Sequence, residues 1–136
     1  MKLFKYELEP FIQFLHRLQL EREHSRMRTR FKKLLMEQYQ QFTADLNEIN
    51  QYYLARDDDG NPLMIDDIYQ FSDNDQRIQE IEQLAREEVI IEQNDSNATM
   101  LQSIRESVLH RSPLEYAGDE ADHYDRFCEI VEQIHA

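Results

Sequence analysis

The chain is poor in turn-forming residues, with two glycines and three prolines among its 136 positions. A β-sandwich or barrel needs many tight turns, so an all-β fold is excluded and helices are expected to dominate. A single cysteine, Cys128, excludes an intrachain disulfide framework and suits a reducing compartment. Runs of aliphatic residues stop at three, as in Leu34-Leu35-Met36 and Val89-Ile90-Ile91. No segment could span a bilayer, and the opening MKLFKYELEP has no signal-peptide core. A cytoplasmic protein with no membrane partner is therefore expected. No P-loop, G-x-G-x-x-G, G-x-S-x-G, H-E-x-x-H or C-x-x-C motif occurs, and two glycines cannot build a phosphate cradle. Neither an enzyme nor a cofactor is expected.

What the chain does have is charge. Charged residues make up 32% of it, and the formal net charge is −13. The charge is unevenly divided. Residues 1–56 carry ten Lys/Arg against seven Asp/Glu, a net +3, whereas residues 57–136 carry five against twenty-one, a net −16. The strong overall negative charge disfavours a simple nucleic-acid binder. The division suggests a basic segment, 1–56, and an acidic one, 57–136, within one folded unit.

Apolar spacing gives the architecture. From His24 to Arg56 no Gly or Pro intervenes, and Leu35, Tyr39, Phe42, Leu46, Ile49 and Tyr53 recur in alternating steps of four and three. That is the spacing of a helix packed along its length on another helix. Ser25 is the expected N-cap and Asp57-Asp58-Asp59-Gly60-Asn61-Pro62 the expected stop. Such a helix would be roughly 45 Å long. Phe4, Leu8, Phe11, Leu15 and Leu18 repeat the same spacing. Pro10 sits either in the first turn of a helix from about Glu9 to Leu20 or after a short strand at Lys2–Leu8. The two helices read as an antiparallel hairpin, elongated, with more stripe on the long helix than the short one can cover. A homodimer is expected on that ground.

The second half reads as mixed but mostly helical. Leu63 to Phe71 suggests a short strand, and Ser72 with Asp75 suggests a capping box for a helix over about 73–86. Glu88-Val89-Ile90-Ile91-Glu92 suggests a second strand, expected to pair with the first. A helix through Leu101, Ile104 and Val108 should end before Ser112-Pro113. Another starts at Gly118-Asp119 and carries Tyr124, Phe127, Val131 and Ile134. The fold class is mainly α with minor β: a helical hairpin and a C-terminal, mostly helical subdomain carrying a two-stranded sheet.

Candidate interaction residues follow. Arg22, Arg26, Arg28, Arg30, Lys32 and Lys33 crowd the start of the long helix, where cations oppose the macrodipole. Arg26, Arg30 and Lys33 share a face and could bind phosphate. The simpler reading is that the cluster faces acidic residues of the C-terminal half, within the chain or across a dimer. Tyr39, Tyr52 and Tyr53 could form an exposed interaction surface, or core-edge positions with hydroxyls in water. Asp57-Asp58-Asp59-Gly60 lacks the first and last ligands of a calcium loop, so a turn is expected there. The acidic run from Glu115 to Asp125, with His123 and Cys128, has no zinc spacing, so no metal site is expected.

The stretches Leu18-x-Leu20, His24-Ser25-Arg26-Met27-Arg28-Thr29-Arg30-Phe31 and Asp57-Asp58-Asp59-Gly60-Asn61-Pro62, with Glu87-Glu88-Val89-Ile90-Ile91 and Gly118-Asp119-Glu120-Ala121, resemble a family of small helical proteins. These are encoded by phages and prophages of Gram-positive bacteria. The resemblance implies a non-enzymatic accessory in virion assembly or host takeover, without assigned catalytic residues. The expected partner is another protein or a second copy of the chain. A nucleic-acid-associated factor, or an acidic DNA-mimic regulator, is the alternative.

Overall fold

The computed structural model describes residues 1–135. Among them are five α-helices: α1 (Leu8–Arg17), α2 (Arg22–Tyr53), α3 (Asn74–Ala85), α4 (Ala98–His110) and α5 (Asp119–Glu132). Four short strands accompany them: β1 (Lys2–Phe4), β2 (Met64–Ile65), β3 (Ile68–Tyr69) and β4 (Glu88–Ile90). The fold is mainly α with minor β.

The long helix is unbroken over 32 residues, about 48 Å at 1.5 Å per residue. Its start differs from expectation. Glu21, not Ser25, occupies the N-cap position in an extended conformation, and Ser25 N already donates to Glu21 O at 3.1 Å. The reason lies in the connection. Arg28 turns inward and donates to the carbonyls of Leu15 (2.8 Å) and Leu18 (2.5 Å), closing the end of α1 and pulling the two helices together. Arg and Lys near a helix C-terminus satisfy its last carbonyls in this way. α1 and α2 form the antiparallel hairpin that the two stripes predict.

Pro10 falls in the first turn of α1, where a missing N–H costs nothing. The residues before it also form a strand. β1 pairs antiparallel with β4 in the register Lys2↔Ile90, Leu3↔Val89, Phe4↔Glu88. Leu3 and Val89 point into the core while their neighbours face out, the period of two expected of a half-buried strand. This corrects the expected pairing of 63–71 with 88–92. Residues 63–69 expose every side chain, so they offer no apolar face to lie opposite Val89; Leu3 does. Instead β2 and β3 pair with each other.

The stripe of α2 is covered within the chain. Leu35, Phe42 and Tyr53 are buried, and Tyr39, Leu46 and Ile49 are partly so. α1 and α4 pack along the first half of α2 and α3 along the second. The expected homodimer therefore loses its premise, because α3 and α4 cover what α1 cannot reach. One core draws on both charge halves: Phe11 lies edge-on to Phe31 and stacks on Phe127 at 5.0 Å, with Ile104, Val108, Ile130 and Val131 around them.

An ion pair with no sequence signature closes the core. The Arg126 guanidinium donates to both oxygens of Glu7, at 2.6 and 3.1 Å, while Glu7 Oε1 also accepts from Phe4 N at 2.8 Å. It ties the turn before α1 to α5, and Glu7 is almost fully buried. Glu7→Ala leaves three donors, Arg126 Nε, Arg126 Nη2 and Phe4 N, without this partner. Because Arg126 keeps access to water, the expected loss is about 2 kcal/mol, below that of a fully buried pair. Urea denaturation checks it; an unchanged midpoint would mean the pair adds nothing.

Candidate interaction surfaces

The structure separates two exposed surfaces at opposite ends of α2. At the first, Arg22, Arg26, Arg30 and Lys33 are all exposed. At 3.6 residues per turn they fall within about 80° of one another, on the side opposite Phe31. Five ion pairs form among the described residues, and none involves these four. The expectation that the cluster faces the acidic half within the chain is thus not met. α3 and α4, from the C-terminal half, pack on the inner face of α2, whereas the strip looks outward. Of the six clustered cations, Arg28 caps α1 and Lys32 donates to His16 Nδ1 at 2.7 Å; the other four remain free.

At the other end, α2 stops at Tyr53 and not at Arg56, because the chain turns into an excursion spanning residues 54–71. Three backbone bonds run round it in a ring: Ala55 N to Gln70 O (2.9 Å), Gln70 N to Leu63 O (3.0 Å) and Leu63 N to Ala55 O (2.8 Å). Bridges Leu54↔Phe71 and Arg56↔Pro62 extend it. The ring satisfies the backbone without any apolar core. Asp57 Oδ1 accepts from Asp59 N and Asn61 N, and Gly60 takes φ +80°. The turn is therefore closed by Asp57, through its carboxylate and its backbone.

The excursion holds its apolar side chains in water. Leu63, Met64, Ile65, Ile68 and Tyr69 are exposed, Ile68 by 65%. Tyr52, at the base, is 79% exposed. The β2–β3 turn is Asp66-Asp67, at φ 52° and 62°, both left-handed. A two-residue turn of this type favours Asn-Gly or Asp-Gly; aspartate at both sites keeps two negative charges at the tip.

The three tyrosines separate. Tyr52 lies on this surface, whereas Tyr53 is buried, with its ring edge-on to Tyr52 at 4.8 Å. Tyr39 is half-buried against α1, and burial, with the Glu9 carboxylate beside it, raises its pKa. Of the three, Tyr52 is exposed, Tyr39 partly so and Tyr53 buried. The missed feature is the apolar tip. Its signal was Leu63-Met64-Ile65 and Ile68-Tyr69 flanking two aspartates, read as one strand when it is two.

Elsewhere a cleft of about 430 Å³ opens between α1, the 113–116 segment and α5, with Phe14, Arg17, Tyr116 and His123 in its wall. The acidic residues at the start of α5 are solvated, and no group of three or more His, Cys, Asp or Glu among the described residues is placed to hold a metal. Burial raises the pKa of both the Cys128 thiol and the Tyr124 phenol, whose hydroxyl donates to Val108 O at 2.8 Å. Among the described residues no helix is long and apolar enough to cross a membrane. The chain matches no protein-family model, no curated protein and no solved structure.

Two outcomes follow. Asp67→Gly relieves the left-handed backbone and should slow amide exchange at Gln70 about threefold, while Asp67→Val should speed it; equal rates in both would contradict the turn geometry. Tyr124 and Cys128 have raised folded pKa values, so the stability they contribute is complete below their ordinary values, about 10 and 8.5, and is lost as pH rises through the folded ones. The urea midpoint should fall through this alkaline range, and Tyr124→Phe with Cys128→Ala should flatten the fall.

Proposed function

We propose that the chain is a non-enzymatic interaction protein that docks a partner through the 54–71 excursion. One observation carries the reading: a loop closed by its own backbone bonds presents five large apolar side chains to water at the end of a rigid helix. A contiguous exposed apolar patch on a soluble chain marks an interaction site. Seven aspartates lie between residues 54 and 75 with Arg56 the one cation, a net −6. The surface that receives the tip is therefore apolar at its centre and basic at its rim. In keeping with the resemblance to phage-encoded helical proteins, the role is that of an accessory in assembly or host takeover, acting inside the cell.

A second reading uses the other end. Four cations free of ion pairs along one helix face could track phosphates, making the chain a nucleic-acid-associated factor. The acidic remainder would oppose it, or would serve as a DNA mimic.

Affinity capture from an extract of the source cell tests the main reading. A discrete partner should be retained by the wild type and reduced about tenfold by Ile65→Lys/Ile68→Lys. Equal retention by both would remove the tip from the account. In a gel-shift series, no shift at low salt is expected. A shift that weakens steeply with salt and is lost in Arg26→Ala/Arg30→Ala would install the nucleic-acid reading instead.

A further inference from the structure

Resting on the reading of the 54–71 tip as a docking element, we infer that its occupant is a second copy of this chain. The acidic, apolar tip of one molecule seats in the basic-rimmed groove between α1 and α2 of the next, so that copies join head to tail.

The two surfaces match in charge and in polarity. Residues 16–33 carry seven Lys/Arg against two Glu, a net +5, opposite the net −6 of residues 54–75. Beside the basic strip, a shallow groove of about 510 Å³ has Ile12 and Met36 in its floor and His16, Arg17 and Lys32 at its rim. It is apolar at the centre and cationic at the edge, the complement of a tip with Ile65 and Ile68 flanking Asp66 and Asp67. Each surface also carries a local cost that the other relieves. Cations in the first turns of α2 oppose its dipole, and Arg22, Arg26, Arg30 and Lys33 have no ion partner among the described residues. Aspartates sit at the tip where glycine would suit the backbone better.

Geometry makes the contact intermolecular. The groove residues Lys32 and Met36 lie 17 to 21 residues before Tyr53, about 25–32 Å along a continuous helix, so a molecule does not seat its tip in its own groove. A contact between two different patches is heterologous, and without ring closure it continues into an open chain. The net charge of −13 opposes the encounter. Growth therefore needs concentrated protein and weakens as salt screens the local match.

Sedimentation velocity on three proteins, each checked for helicity by circular dichroism, decides it. At low salt the mean mass of the wild type should climb over about a hundredfold concentration range without a plateau. Ile65→Lys/Ile68→Lys blocks the tip, and Lys32→Glu/Lys33→Glu reverses one rim cation and one cation of the adjoining strip; Lys32 is half-buried and the other three are exposed, so each variant alone should stay monomeric. Mixed, the two variants retain one intact tip and one intact groove between them and should stop at a one-to-one dimer. A wild type that stays monomeric overturns the proposal, as does a closed dimer that both variants leave intact. If it stays monomeric while Ile65→Lys/Ile68→Lys still abolishes capture of a different protein, the docking reading survives without self-association. If capture is also unchanged, both fall.

Discussion

No ten-residue helix can cover the apolar side of one with thirty-two, and this mismatch sets the rest of the fold. α1 covers the start of α2 and then runs out. α4 shares that first half from the other side, and α3 takes over along the second. Because three partners share the work, the stripe from Leu35 to Tyr53 is closed within one chain. α4 is buried or half-buried from Met100 to Leu109, while α1 and α3 keep polar faces in water, which is how a chain with 32% charged residues still assembles a single core.

The same rod keeps two unlike surfaces apart. Had α2 been broken near its middle, the cations at its start would have folded back toward the aspartates beyond its end and neutralised them. A continuous helix forbids that. The charge division visible along the sequence thereby becomes a division in space, with each end free to meet something outside the molecule.

Much of this was legible in residue order. The three-four spacing gave α2, its partner α1 and the hairpin they form, because heptad stripes encode which side is buried. What could not be read were pairings between distant segments. Leu3 opposite Val89 and Glu7 beside Arg126 each join the first residues to the second half of the chain, and neither leaves a local pattern. The start of α2 was misplaced because Ser25 is a good cap in isolation, while the position was fixed by Arg28 reaching back to α1. The tip was misread for a related reason. Two strands of two residues, hinged at left-handed aspartates, carry too little period to tell from one short strand. The exposure of Arg22, Arg26, Arg30 and Lys33 follows from the stripe, but what they face does not, since periodicity shows which face is buried and not what lies opposite the exposed one.

The continuity of α2 is tested most directly by a distance across it. With Cys128→Ala as background, spin labels at Thr29 and Tyr52, both exposed, span 23 residues. An unbroken helix predicts one narrow distribution near about 35 Å, widened by the label arms alone. A broad distribution, or a population well below that length, would mean that the rod bends or breaks near Gln40, and the separation of the two ends would fail with it.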